Sequence, residues 1–181
     1  TVKDIDLVFI ALHGGDGEDG TVQNYLESKN IKFTGSNSKA SKIALNKNSS
    51  KILCKKYNIP TPSWIMLSGS KKINLFIEDI YNNWSGGGVV IKPNNEGSSI
   101  GVTIIKKIKK EKLRLALINA FKVSKTIIVE EYIEGREITV SILNNRVLPI
   151  IEVKPKGEYY DYRSKYVQHQ SDYIVPANIK K

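Results

Sequence analysis

The apolar positions of the chain fall into short blocks whose spacing changes from one block to the next. Residues 6–12 (DLVFIAL) form a continuous apolar run of strand length. The run ends in HGGDGEDG over residues 13–20, which is too rich in glycine for regular structure. Residues 21–29 then read as a helix with Val22, Tyr25 and Leu26 on one face. The loop between them lies at the carboxyl end of the strand, where ligands bind in open α/β sheets. Two short helices are predicted over residues 36–46 and 47–57, and Pro60 and Pro62 end the second, since proline lacks a donor and disfavours helix before it. Beyond them the pattern predicts a strand over 63–67, a helix over 73–84, a turn over 85–88 and a strand over 89–93. A loop over 94–101 leads to a strand over 102–106. A helix over 111–122 follows, with Leu113, Leu117, Ala120 and Phe121 as its buried stripe. A strand is predicted over 126–132, and after the Glu134-Gly135 turn the alternation over 137–143 predicts another. Asn144-Asn145 turns the chain into a partner strand over 147–153. From Lys154 onward the chain is polar and tyrosine-rich and reads as a long loop. This order gives one α/β unit followed by an α+β domain with an antiparallel sheet.

Composition narrows the class. The 181 residues suffice for one domain or parts of two, with the 40% hydrophobic and 25% charged content of a globular chain. No apolar run approaches the roughly 20 residues that span a bilayer. The start has no basic region followed by an apolar segment, so neither a signal peptide nor a membrane partner is expected. It has no initiator Met, and a strand-like run begins almost at once, as expected of a fragment. Cys54 is the only cysteine, which leaves no intramolecular disulfide or thiolate metal cluster and fits a reducing compartment, the cytoplasm. It reads as a packed, inert thiol.

A formal charge of +10 invites a nucleic-acid reading. The excess is nearly all lysine, spread along the chain, and only Arg114, Arg136, Arg146 and Arg163 are arginines. Arginine is the better reader of bases and phosphates, and no aromatic residues interleave with the lysine clusters. A lysine-rich solvated surface is therefore expected, with no nucleic-acid partner.

Four segments carry candidate chemistry. In VIKP over residues 90–93 a strand delivers Lys92 to a fixed place, and NEGSSIG over 95–101 then offers hydroxyls, backbone N–H groups and glycines that let an anion approach. The pattern is not a Walker P-loop. By itself it fits a plain hairpin as well as a triphosphate site. IVEEYIEGRE over 128–137 brings carboxylates and backbone groups to the end of an apolar strand, where they could accept from an adenine amino group and ribose hydroxyls, or stand as a solvated strand edge. YYDYRSKY over 159–166 could close over phosphates and exclude water, or pack as an aromatic loop. In the loop over 13–20, His13 and Glu18 could orient a small polar substrate, or His13 could be structural.

Taken together, in this order and spacing, the four segments resemble the D-alanine–D-alanine ligases of the ATP-grasp superfamily, over about residues 6–177. HGGDGEDG resembles that family's first signature, VVIKPNNEGSSIGV its phosphate-binding strand and loop, IIVEEYIEGREITVSIL its nucleotide-binding strand pair, and YYDYRSKY, with Tyr173 and Pro176-Ala177, its mobile loop. The resemblance implies an α/β and α+β chain: an ATP-grasp fold with the end of a preceding α/β (pre-ATP-grasp) domain. Residues 1–36 would end the N-terminal substrate-binding domain, 37–134 form the central ATP-grasp subdomain, and 135–181 begin the C-terminal subdomain with the lid.

It also implies roles by position. Lys47 and Lys92 would contact ATP phosphates. Glu130 would meet the adenine, flanked by the backbone of Glu131 and Ile133, and Glu137 the ribose. Ser98 and Tyr166 match a hydrogen-bonded group that orders the lid and the first D-alanine. Lys165 matches the lid lysine that reaches the γ-phosphate. His13 matches the histidine near the first D-alanine, with Glu18 supporting its loop. The implied reaction joins two D-alanines through an acyl phosphate, for peptidoglycan precursors, with ATP and magnesium (or manganese) as cofactors. A cytoplasmic homodimer is the implied assembly.

The sequence departs from the family in two ways. Asn24 follows Gln23, where the family has a small residue, an exchange expected to touch helix packing only. The family's N-terminal strand and glycine-rich loop would precede Thr1, and its metal-binding acids and asparagine would follow Lys181, so no metal ligand is expected in this stretch. The expectation is thus the middle of a ligase, inactive alone. A catalytically dead nucleotide-binding remnant and a D-alanine–D-lactate ligase are the alternatives; the YDYxxKY pattern favours the dipeptide product.

Overall fold

The computed structural model of the chain describes residues 5–84, 87–157 and 171–179. The chain divides into two compact units, Thr1–Tyr132 and Ile133–Lys181.

The first unit opens with a 3-10 turn at Gly15–Gly17 and three helices: α1 (Thr21–Ser28), α2 (Ser38–Leu45) and α3 (Lys47–Lys56). Asparagines cap the latter two. Asn37 Oδ1 accepts from the Ala40 N–H and Asn46 Oδ1 from the Ser49 N–H, each at 2.8 Å. Gly20 starts α1 at φ 92°, and a Cβ there would fall on the Ser38 carbonyl oxygen, so only glycine fits.

One expectation fails in this part. The apolar run over residues 6–12 is not a strand: among the described residues a single parallel bridge joins Val8 to Phe33, and Leu7, Phe9 and Leu12 are exposed. Hydropathy supplies the side chains of a strand, but a ladder also needs a neighbouring backbone. Here that backbone reaches only Val8, through Lys32 O and the Thr34 N–H. Helix α1 lies where it was expected and buries Leu26 of the predicted face, with Val22 partly buried and Tyr25 half exposed; Gln23 is buried too, its amide donating to Gly17 O at 2.7 Å. Asn24 is exposed.

The centre of this unit is an antiparallel sheet. Its strands are β1 (Trp64–Ser68), β2 (Val89–Pro93), β3 (Thr103–Ile105) and β4 (Thr126–Glu131), in the order β1-β4-β2-β3. Helices α4 (Ile73–Asn83) and α5 (Lys110–Val123) supply Ile77, Ile80, Leu113, Ala116, Leu117 and Ala120 to the core. These pack with Leu67, Val89, Ile91, Ile105, Ile127 and Val129 of the sheet. Side chains alternate along a strand, so the residues between these point to the opposite face. That second face carries Trp64 opposite Glu130, Val90 opposite Glu130, and Lys92 opposite Ile128. The polar chemistry of the unit therefore stands on the sheet face that α4 and α5 leave free.

The second unit contains β5 (Glu137–Thr139), β6 (Ile142–Leu143), β7 (Arg146–Val147), β8 (Ile151–Pro155) and β9 (Ser171–Ile174). Strands β5, β8 and β9 form one sheet, and β6 and β7 a hairpin. Asn144 and Asn145 take φ 49° and 61°, the left-handed pair that a tight two-residue hairpin requires. The strands expected over 137–143 and 147–153 are each interrupted, giving β5 and β6, then β7 and β8. The tail expected as loop from Lys154 holds the end of β8 and all of β9, which pairs Tyr173 with Val153. Four residues of mixed polarity carry too little periodicity to announce a strand.

Candidate functional site

Helix α3 places Lys47, Lys51 and Lys55 four residues apart, and so on one side of the helix. Lys47 reaches one part of the first unit, and Lys51 and Lys55 another. Lys47 donates to the carbonyl of Glu96 in the loop after β2. Lys51 reaches the free face of the sheet, where its Nζ lies 2.8 Å from Glu130 Oε2 and 2.7 Å from Thr61 Oγ1. The Lys51 ammonium also stands 5.1 Å from the Trp64 ring centre, and Lys55 reaches the same ring at 4.9 Å. The Trp64 indole N–H is held by Asn48 Oδ1 at 2.9 Å.

Glu130 is the meeting point. Its second oxygen, Oε1, pairs with Lys92. The Lys51 and Glu130 side chains are each 9% exposed, whereas that of Lys92 is 22% exposed. One buried carboxylate thus faces two ammonium groups, and the trio carries an excess positive charge. A buried carboxylate is tolerated only with such partners. The more accessible of the two cations stands at the strand end, where an anion can reach it.

The loop after β2 is tied to α3 through Asn94, which is 3% exposed. Asn94 O accepts from the Lys47 N–H at 3.0 Å and Asn94 Oδ1 from the Asn48 N–H at 2.9 Å. Its own N–H donates to Thr126 O at 3.0 Å. Past it, Ser98, Ser99 and Gly101 take φ 50°, 60° and 69°, three left-handed positions in the glycine-serine loop. Glu18 comes against this loop: a Cβ on Gly97 would lie 2.9 Å from Glu18 Oε2. An open cleft of about 780 Å³ runs beside it, lined in part by Asp19, Asn24, Lys39, Lys42, Asn95 and Glu96.

Of the residues singled out by sequence, the first unit brings Lys92 and Glu130 into direct contact and seats Lys47, Glu18 and Ser98 on or against the loop after β2. His13 is exposed at the start of the glycine loop, and Glu131 is half-buried beside Glu130, its N–H donating to Ser63 O at 3.0 Å. In the second unit Ile133 and Glu137 are exposed. Lys165 and Tyr166 lie outside the described residues. Sequence reasoning missed Lys51 and Asn94; the four-residue spacing from Lys47 to Lys51 was the available signal for the first.

Elsewhere in the second unit Arg136 holds Glu152 with hydrogen bonds of 2.8 and 2.5 Å and donates to Asn178 O at 2.8 Å. These bonds hold the Glu152 carboxyl below the usual carboxylate range and raise Arg136 above its ordinary value. In the first unit Glu27 is held below the usual range by the Ser38 hydroxyl and N–H. Among the described residues no three His, Cys, Asp or Glu side chains gather into a group that could hold a metal. Nor, among them, is any helix long and apolar enough to cross a membrane.

The mixed α/β fold of the chain matches that of its structural relatives, the ATP-grasp fold. The family model described as the D-ala D-ala ligase C-terminus matches residues 53–181, and that of the N-terminus residues 1–36. A D-alanine–D-alanine ligase of Buchnera aphidicola is 40% identical over 175 residues, which cover 96% of this chain and 56% of the relative. The crystal structure of a Bacillus anthracis D-alanine–D-alanine ligase complexed with ATP superposes with TM-score 0.76 at 35% identity, covering 99% of this chain and 54% of that one. The VanG D-Ala:D-Ser ligase of Enterococcus faecalis gives TM-score 0.77 at 30% identity, covering 97% of this chain and 51% of that one. This chain belongs to the D-alanine–D-alanine ligase family. It spans a little over half the length of these relatives.

Proposed function

We infer that the protein to which this chain belongs is an ATP-dependent ligase that joins two D-alanines, for peptidoglycan precursors. The observation that carries this reading is the Lys51–Glu130–Lys92 cluster on the free face of the sheet, in a chain of this family. Lys92 and Lys47 would bind the phosphates of ATP as fixed positive charges. Glu130 would accept from the adenine amino group beside the backbone of Glu131 and Ile133, and Glu137 from a ribose hydroxyl. His13 and Glu18 would orient the first D-alanine. Ser98 and Tyr166 would order the lid, and Lys165 would reach the γ-phosphate.

The chemistry follows in two steps. A carboxylate oxygen of the first D-alanine attacks the γ-phosphorus as the bond to ADP breaks, giving D-alanyl phosphate. The amino nitrogen of the second D-alanine then attacks the acyl carbon and loses a proton, and the tetrahedral intermediate expels inorganic phosphate. The lysines offset negative charge as it shifts toward the leaving oxygen. Magnesium would share that task in the family reaction; no group of described residues fits it, so none is assigned to it.

The same reading assigns residues 1–36 to the end of a substrate domain, 37–134 to the central ATP-grasp subdomain and 135–181 to the start of the C-terminal one, with support from an N-terminal family match ending at residue 36. A cytoplasmic homodimer is the assembly it implies. The test is to incubate the intact protein with ATP, magnesium and D-alanine, and to follow ADP release and dipeptide mass. D-alanine-dependent ADP with D-alanyl-D-alanine as product is expected. D-serine or D-lactate taken in preference as second substrate would replace the dipeptide reading, and turnover without any D-amino acid would end it.

A further inference from the structure

We propose that Lys51 is the residue that makes the nucleotide site selective for adenine, by fixing Glu130 as a hydrogen-bond acceptor. This rests on the ATP reading of the same site. In the structure Lys92 and Lys51 share Glu130, but they are not equivalent. Lys51 is anchored on several sides: by Glu130 Oε2 at 2.8 Å, by Thr61 Oγ1 at 2.7 Å and by the face of Trp64 at 5.1 Å. Its side chain is 9% exposed, less than half the exposure of Lys92. An arriving triphosphate competes with Glu130 for the accessible cation, Lys92. When Lys92 turns to phosphate, Oε1 of Glu130 is released and Oε2 stays with Lys51.

The carboxylate then has one oxygen held and one open, at the end of β4. A carboxylate paired with an ammonium only accepts hydrogen bonds. It therefore fits a base that presents an amino group at its six-position and opposes one that presents a carbonyl there. Without Lys51 the carboxylate loses its fixed counter-charge and its anchor. It can then turn and present no fixed acceptor to the base. Lys51 would thus act through Glu130 as a positioning residue, while Lys92 binds phosphate whatever the base.

The experiment compares the affinity of the intact protein for ATP and for inosine triphosphate, which differ at that six-position. The wild type is expected to prefer ATP. Lys51→Met is expected to lower the ATP-to-inosine-triphosphate ratio by about tenfold or more, the discrimination one charge-assisted hydrogen bond supplies. Lys92→Met is expected to weaken both nucleotides alike and leave the ratio in place. If Lys51→Met does not fold, Thr61→Val decides: loss of the second anchor is expected to lower the ratio about threefold, a smaller effect because Glu130 and Trp64 still hold the ammonium. A ratio that Lys51→Met leaves unchanged, or Thr61→Val where the first does not fold, overturns the proposal. So does a wild type that binds both nucleotides equally, although its ATP site then stands. A wild type that binds neither overturns the ATP reading and this inference together.

Discussion

Glu130 Oε2 lies 2.8 Å from Lys51 Nζ with both side chains 9% exposed, which makes this pair a structural tie as well as a part of the site. It joins α3 to the end of β4. Removing Lys51 takes away the buried partner of Glu130 and leaves only the more accessible Lys92 to offset the carboxylate. Lys51→Met is expected to destabilise the chain by about 3 kcal/mol, whereas Lys92→Met, at the more exposed cation, should cost about 1 kcal/mol. Urea unfolding of the two variants measures the difference. Equal losses would contradict the division between a fixed and a mobile lysine.

Asn94 ties the start of α3 to the loop after β2. Asn94→Ala removes the acceptor of the Asn48 N–H and should cost about 1 kcal/mol, the usual net contribution of one hydrogen bond at a part-buried donor. Hydrogen exchange at Asn48 should speed up in the variant. Unchanged exchange there would show that another group takes over the bond.

Gly20→Ala tests the junction of α1 and α2. The left-handed backbone alone should cost about 1–2 kcal/mol, and the overlap with Ser38 O adds to it. A variant as stable as the wild type in urea would mean that α2 can move aside freely.

The second unit has its own acid limit. Glu152 is held below the usual carboxylate range by the hydrogen bonds from Arg136. A depressed carboxyl contributes stability above its unfolded value, near pH 4.3, and loses it as pH falls through the lower folded value. The melting temperature of the intact protein should therefore fall on acidification below about pH 4. Arg136→Gln should lower the neutral-pH midpoint and flatten this acid-side fall. Parallel profiles for the two proteins would show that the pair contributes nothing to stability.

How much of this could be read in the sequence depended on whether a residue's surroundings were local. Strand β2 lies where the pattern put it, over residues 89–93, because β-branched residues there alternate between core and free face. Helices α2 to α5 also lie within a few residues of their predicted spans at each end. The run over residues 6–12 misled, since its fate hung on a distant backbone that hydropathy cannot report. In the same way, the contact of Lys92 with Glu130 joins strands far apart in sequence, and neither residue's own segment announces it. Lys51 was passed over because a lysine in a lysine-rich helix reads as solvent-facing; only the sheet beside it explains its burial. The roles of Lys165 and Tyr166 rest on the motif, because those residues lie outside the described part of the structure.

The central claim is that the first unit grips ATP through Lys92 and Glu130, and calorimetric titration of the intact protein with ATP tests it most directly. The account predicts saturable binding, weakened by about tenfold or more in Lys92→Ala, as expected for loss of a charge-assisted phosphate contact. Absence of ATP binding in the wild type, or a Kd that Lys92→Ala leaves unchanged, would contradict it.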